Sequence, residues 1–244
     1  MKIRHYLLLG AAALALIAGF FLPNAVAGVM DGRRFDNLTM IDSQSISFDA
    51  APELGLFGRL TIVANSNTEV LPLKSGNVMD PDAASERVVK ELKRFSENKA
   101  LRLDYSKYVL EESEALLVVD SLIPTHSLIV WQMTLADPSG DAVTVVIDDE
   151  TGVILRLVQR RLSAVDFVIA SKSPEPTDEE LYAAAQSLTE MMTVYYGFAV
   201  LLADYEYSGS LSYYKAEITD GWFVIPMYGV VRATGFTMNE RVWR

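Results

Sequence analysis

Residues 128–159 read LIVWQMTLADPSGDAVTVVIDDETGVILRLVQ, and this stretch decides the predicted fold. Apolar and polar residues alternate in three runs, which is the two-residue period of a half-buried strand. The predicted strands are 128–135, 143–147 and 153–158. Residues rich in Asp, Pro and Gly separate them and favour tight turns. The stretch therefore predicts an antiparallel meander that has one face on a core.

The second turn of this meander carries three acidic residues and a glycine. Gly152 suits a left-handed backbone conformation, which glycine adopts without steric cost. Asp148, Asp149 and Glu150 allow a calcium loop as one interpretation, but such a loop needs oxygen ligands spread over about 12 positions. Since a strand follows immediately, we interpret the three acidic residues as a solvated turn.

The strand with Trp131, the hairpin after it and the closing Asp148-x-x-Thr151-Gly152-x-x-Leu155 motif resemble the end of a PepSY domain. That family commonly ends in a strand that carries Trp or Tyr, a hairpin and a D-x-x-T-G-x-[IVL]-L-like turn into a last strand. The resemblance covers about 30 residues, or about 80 with the preceding helix. It implies a small extracytoplasmic α+β module, of a kind associated with peptidase propeptides, inhibition or regulation, and accessory parts of envelope systems.

The composition excludes several classes of protein. A net charge of −11 repels phosphate backbones and anionic lipid surfaces, so nucleic acid is not an expected partner. The absence of cysteine excludes disulfides, thiolate metal sites, cysteine nucleophiles and lipoprotein attachment. With 244 residues, half of them hydrophobic, the chain can form one large domain or two small ones.

Residues 1–30 predict a signal or anchor helix. Lys2 and Arg4 precede an apolar run of 16 residues, 7–22. Cleavage after Ala27 would release a secreted protein, because Ala25-x-Ala27 has the form of a signal-peptidase site. We favour the alternative of a retained single-pass anchor with the C-terminal body outside the cytoplasm, because the apolar run is long.

The predicted fold class is α+β: two small units, each a helix packed on an antiparallel β meander, after an N-terminal hydrophobic helix. Asp80 and Pro81 favour the start of the first helix, and Thr177 with Glu180 forms a capping box for the second. A strand is predicted at 56–63, and Asp148–Glu150 is expected to be exposed. The predicted boundaries are 1–30 anchor, 31–77 stalk and possible first strand, 78–170 first PepSY-like unit, 171–176 linker and 177–244 second unit.

An offset of 83 residues relates the two halves of the sequence. It places Trp131 on Tyr214 and Gly152 on Gly235, which suggests a tandem repeat. Chance similarity of two meanders is the alternative. Pro226 interrupts the second copy and is expected at a sheet edge or a bulge, because proline cannot donate to a ladder.

Few residues suit catalysis. His126 lies between a proline and a strand and is expected to be a loop residue, and we expect no catalytic residue, no metal site and no cofactor. Tyr205, Tyr207, Tyr213 and Tyr214 form a candidate ligand or partner surface. The alternative, which we favour, is that alternate tyrosines pack within the sheet.

The sequence is compatible with three functions. The leading hypothesis is a non-catalytic, membrane-anchored extracytoplasmic protein of the bacterial cell envelope that regulates a peptidase or sensor kinase through protein–protein contacts. The second is a cell-wall ligand-binding module that uses the tyrosine-rich unit. The third is a carboxylate-based hydrolase, because acidic side chains are plentiful and their separation is invisible in a sequence.

Overall fold

The computed structural model describes residues 54–97, 103–160, 176–209 and 211–240, all within the unit Ile41–Arg244. The predicted anchor, the stalk up to residue 53 and all but the last residue of the linker 171–176 lie outside the described residues. The predictions made for them stay predictions.

Three helices and nine strands make up the described residues. The helices are α1 Leu56–Ala64, α2 Pro81–Ser96 and α3 Asp178–Tyr196. The strands are β1 Thr68–Leu73, β2 Val109–Asp120, β3 Ser127–Ala136, β4 Ala142–Asp148, β5 Ile154–Arg160, β6 Ala199–Ser208, β7 Leu211–Thr219, β8 Val224–Arg232 and β9 Gly235–Met238.

All nine strands belong to one antiparallel sheet with the order β1-β2-β3-β4-β5-β9-β8-β7-β6. The predicted division into two small α+β units is therefore wrong. Each helix is followed by its own meander, but β5 and β9 pair from Leu157↔Met238 to Arg160↔Gly235 and join the two meanders. Pairing the last strands removes two free edges, whose backbone groups would otherwise lack strand partners. A local sequence pattern carries no information about such a distant pairing.

Much of the core lies on the face of this sheet that carries α2 and α3, and the opposite face of β2–β4 also buries Val118, Val130 and Val146. Alternate residues of β3, β4 and β5 supply Trp131, Val145 and Leu157, all at most 2 % exposed. Helices α2 and α3 contact this sheet and each other, and the rings of Phe95 and Tyr195 meet edge to face with centroids 5.5 Å apart. The predicted antiparallel meander at 128–159 is confirmed.

Both predicted helix starts are confirmed. The Asp80 carboxylate accepts a hydrogen bond from the backbone N–H of Ala83 at 2.8 Å, and Pro81 occupies the first helical position. Thr177 and Glu180 form the reciprocal capping box. These side chains satisfy backbone N–H groups that have no partner within the helix.

The strand predicted at 56–63 is wrong, because these residues form α1. Leu60 and Ile62 fit the two-residue period of a strand, but Leu56, Leu60 and Val63 fit a helical stripe equally well. α1 lies at the end of the sheet where β5 begins. There the side-chain amide of Asn239 donates to the carbonyls of Leu60 at 3.0 Å and Leu155 at 2.8 Å.

Pro226 lies at a local sheet edge, as the sequence predicted. It belongs to β8 and is opposite Glu217 of β7. On the other side of β8, β9 pairs only with the segment from Gly229 to Arg232. The carbonyl of Tyr228 accepts from the N–H of Glu240 on that side. Backbone groups two residues apart in a strand point to the same side, so the backbone nitrogen of Pro226 also faces the side that β9 leaves open.

The offset of 83 describes only part of the second half. When 83 is added to the residue numbers of β3 and β4, their bounds agree with those of β7 and β8 to within one residue at either end. The helices do not follow it, because their N-caps, Asp80 and Thr177, are 97 residues apart. The register also shifts by one, since Trp131 pairs with Ile147 but Tyr214 pairs with Gly229.

Candidate functional site: an exposed apolar platform

Strands β6, β7 and β8 turn one face away from the core, and this face exposes large apolar side chains. Leu201 is 61 % exposed, Val224 58 % and Tyr213 52 %. Isolated exposed apolar residues are common on proteins, but a contiguous group indicates an interaction surface. We call this face the outer platform, and its members are Leu201, Asp204, Glu206, Tyr213, Lys215, Glu217, Val224, Pro226 and Tyr228.

The register of the three strands mixes apolar and acidic side chains across the platform. Tyr213 lies opposite Glu206 on β6, and Glu217 lies opposite Leu201. Lys215 lies opposite Asp204 on one side and Tyr228 on the other. The platform therefore carries three carboxylates and one ammonium group among its apolar side chains.

Lys215, the only cation among the nine platform residues, is already paired within the platform, and Arg232 lies exposed farther along the same face of β8. Lys215 Nζ lies 2.8 Å from Glu217 Oε1, and this contact raises the pKa of Lys215 above its ordinary value. The carboxylates of Asp204 and Glu206 have no basic partner among the salt bridges of the described residues. The platform thus presents net negative charge beside apolar surface.

The β7–β8 turn extends this apolar surface to the end of the sheet. The Asp220 carboxylate accepts the backbone N–H groups of Trp222 and Phe223 at 2.9 Å each, which fixes the turn and lowers the pKa of Asp220. Trp222 is 90 % exposed and Phe223 68 %. We call this pair the aromatic tip.

The structure does not bring the four predicted surface tyrosines together. Tyr205, Tyr207 and Tyr214 point to the face that carries α3, whereas Tyr213 points to the outer platform. Tyr214 is buried, and its hydroxyl donates to the carbonyl of Thr237 at 2.9 Å. Tyr207 and Tyr213 are exposed. The tyrosine positions therefore divide between core packing and surface.

Tyr205 occupies an intermediate position. Its hydroxyl lies 2.7 Å from the hydroxyl of Ser212 and donates to the Asp178 carboxylate at 3.0 Å. Burial and the Asp178 carboxylate raise the pKa of Tyr205 to about 12. Because its polar atom is already engaged in these contacts, this tyrosine holds α3 against the sheet.

The acidic turn predicted to be solvated is largely buried, so that interpretation is wrong. Asp148 is 1 % exposed and accepts from Arg59 Nη1 at 2.7 Å and from the backbone N–H of Thr151 at 2.7 Å. The Arg59 guanidinium also pairs with Glu150, whose side chain is exposed. Gly152 has a φ of +71°, the left-handed conformation that was predicted. Arg59 was missed because it was assigned to a strand.

Asp149 is 3 % exposed and receives four N–H groups. Its Oδ2 accepts from the backbone of Asn77 and Val78 at 2.8 Å each, and its Oδ1 accepts from Met79 at 3.1 Å. The indole N–H of Trp131 donates to the same Oδ1 at 2.9 Å. Asp149 therefore fixes the loop before α2 to β3. No sequence signal connected it with that loop, which lies about 70 positions earlier.

A third buried carboxylate lies between α2 and α3. Glu91 of α2 is charged, yet it is only 2 % exposed. It lies 3.1 Å from Arg87 and 3.6 Å from Arg94, and it accepts the hydroxyl of Tyr195 at 2.7 Å. Burial raises the pKa of Tyr195 well above its ordinary value. These contacts join α2 to α3, because Glu91 of α2 is hydrogen-bonded to Tyr195 of α3.

His126 lies in the β2–β3 turn, where the sequence placed a loop. Its carbonyl accepts from Asp120 and its N–H donates to Ile123. Within the described ranges, no three or more histidine, aspartate or glutamate side chains are grouped to hold a metal ion. In the same ranges, no helix has the length and apolarity to cross a membrane.

A scan against protein-family models, a search of curated proteins and a search of solved structures each gave no match. The PepSY-like resemblance of Trp131, Asp148, Thr151 and Gly152 consequently stays a prediction.

Proposed function

We propose that the chain is a non-catalytic binding protein that regulates another protein of the bacterial cell envelope. The observation that carries this proposal is the outer platform, where apolar side chains remain in solvent on three neighbouring strands. The segment 7–22 is proposed to anchor the chain, with the body outside the cytoplasm. The PepSY-like resemblance supports a peptidase or a sensor kinase as the regulated protein.

The charges of the platform define the partner. Asp204 and Glu206 lie beside Tyr213 and Tyr228, and the only ammonium group of the platform is paired with Glu217. Complementary charge steers association and selects partners. The platform therefore fits a protein segment that carries apolar side chains next to Lys or Arg.

The other two hypotheses receive less support from the geometry. A wall-binding surface built from the four tyrosines is divided between two faces of the sheet. For the hydrolase, the buried carboxylates Glu91, Asp148 and Asp149 each have donors from protein groups at hydrogen-bond distance. Such carboxylates stabilise contacts between elements, and no observation favours them as a reacting pair.

Site-specific photocrosslinking in native membranes tests the platform. A photoreactive tyrosine analogue replaces Tyr213 on the platform or, as a matched control, Tyr182, which is exposed on α3. We expect one dominant protein adduct from position 213 and none from 182. The charge reversal Glu206→Lys should reduce the adduct several-fold if the partner is basic.

Two results would contradict the proposal. Equal adducts from positions 213 and 182 would show that the body contacts its neighbours without using the platform. Adducts with wall fragments but no protein at position 213 would instead support the ligand-binding hypothesis.

A further inference from the structure

We infer that the aromatic tip contacts the surface of the lipid bilayer, so that the body stands on the membrane with the β7–β8 turn downward. This contact would be additional to the anchor and rests on the proposed anchoring of the chain. It is made by the described body itself, through Trp222 and Phe223.

The side chains of the tip suit the boundary between water and lipid. Trp222 and Phe223 are adjacent, their exposures are 90 % and 68 %, and Val224 follows at 58 %. Tryptophan concentrates at membrane interfaces, because its ring is apolar and its N–H can reach headgroups or water. Lipid that covers these three consecutive apolar side chains would stabilise the contact by about 25 cal/mol for each Å² of apolar surface removed from water.

The turns at the two ends of the sheet differ in character. At the end of the sheet that carries the aromatic tip, the β2–β3 turn also exposes apolar side chains. Leu122 is 73 % exposed and Ile123 is 46 % exposed. At the opposite end, the β3–β4 turn is held by Asp137 and Ser139, and the β6–β7 turn contains Ser208 and Gly209. Among the turns that the structure describes, those at the first end expose large apolar side chains and those at the opposite end do not.

The first described residues of the body lie at the same end of the sheet as the aromatic tip. The described residues begin at Leu54, whose carbonyl accepts from Arg59 at 2.7 Å. The ring of Phe57 lies 5.2 Å from that of Phe198, which directly precedes β6. The first residue of β6 pairs with Thr219, three positions before Trp222. Leu54 and the aromatic tip thus lie at the same end of the sheet.

The charge of the protein determines the kind of contact. A net charge of −11 opposes binding to an anionic surface, so basic residues do not drive the contact. The Asp220 carboxylate is exposed and accepts the backbone N–H groups of Trp222 and Phe223. The contact is therefore shallow, with apolar side chains inserted among headgroups.

Quenching of tryptophan emission by brominated lipid tests the inference on the full-length protein in phosphatidylcholine vesicles. Trp243, outside the described residues, is replaced by Phe in every variant, and buried Trp131 gives a constant background. Trp222 is then the reporter at the tip. The matched control, Trp222→Phe with Ser208→Trp, moves the reporter to the last residue of β6, opposite Leu211. That position is one length of β7 away from the tip, about 26 Å at about 3.3 Å per residue.

We expect brominated lipid to reduce the Trp222 contribution by about half or more and to leave the Ser208→Trp control unchanged. Absence of quenching at both positions would overturn the inference, because the tip would then face water or protein. Equal quenching at both would also overturn it, because the body would then have no preferred end. Release of the protein from vesicles by alkaline carbonate would instead refute the proposed anchor. Failure of the anchor can therefore be distinguished from failure of the tip contact.

Discussion

Replacing Asp149 by asparagine should destabilise the protein severely, because this carboxylate is the shared acceptor of four N–H groups. The substitution keeps the size of the side chain but converts one accepting oxygen into an NH₂ group, which cannot accept from an N–H. Either the pair from Asn77 and Val78 or the pair from Met79 and Trp131 then loses its acceptor.

The magnitude follows from the exposure of these donors. A hydrogen bond to a charged group contributes about 1.5–3 kcal/mol, and a buried donor without a partner loses the full benefit. Asn77 and Val78 are exposed, so water can replace their partner, whereas Trp131 is 2 % exposed. We expect Asp149→Asn to reduce the free energy of unfolding by about 3 kcal/mol and Trp131→Phe by about 2 kcal/mol.

The assay is urea unfolding followed by circular dichroism, in a double-mutant cycle. Because the two side chains share a hydrogen bond, the double variant should lose about 1.5 kcal/mol less than the sum of the single variants. Asp137→Asn is the matched control, since that carboxylate also holds a turn but is half-buried, whereas Asp149 is 3 % exposed. A loss for Asp149→Asn no larger than that for Asp137→Asn, or a coupling of zero, would refute the reasoning.

Three further predictions concern the packing and ionisation of single residues. Gly152→Val should cost about 2 kcal/mol and Gly152→Ala about 1 kcal/mol in unfolding assays, since φ is +71° and the new side chain also meets Arg87; equal melting of all three proteins would contradict this. Gly229→Ala should cost about 1–3 kcal/mol, because its Cβ would lie 2.2 Å from the ring of Tyr214 and 2.3 Å from the backbone carbonyl oxygen of Thr237. Tyr214→Leu should recover only the part of the loss that the ring causes, and no recovery would assign the whole loss to the Thr237 backbone. Burial raises the pKa of Tyr195 and Tyr214 above the ordinary tyrosine value of about 10. Their protonated forms therefore contribute stability below a pH of about 10, and this stability is lost as the pH rises further. If ultraviolet titration showed that all tyrosines ionise before the protein unfolds, this dependence of stability on tyrosine ionisation would be excluded.

The parts of the fold that local chemistry determines could be predicted from the sequence. Alternation over a few residues located β3, β4 and β5, and Gly152 marked a left-handed position. The N-caps at Asp80 and Thr177 were also visible, because a cap is made by side chains within one helical turn.

The parts that depend on distant contacts could not be predicted. The pairing of β5 with β9 joins residues about 80 positions apart, and the local sequence of neither strand predicts which strand it pairs with. The same limit explains the buried acidic turn, since Asp148 is satisfied by Arg59 from α1. For the candidate site, the tyrosines were noticed, but the register that separates Tyr213 from Tyr214 and leaves Trp222 in solvent exists only in the folded sheet.

The junction between the two meanders also sets an order of events during synthesis. The ribosome makes β9 last among the described strands, yet β9 lies in the middle of the sheet between β5 and β8. Until residues Gly235–Met238 have been made, β5 keeps an unpaired edge and Leu157 has no partner across it. The nascent chain can close local hairpins but cannot complete its sheet, because that step requires a loop of about 80 residues to close. Completion of the nine-stranded sheet is thereby postponed until Gly235–Met238 has been made, although every other described strand precedes it in the chain.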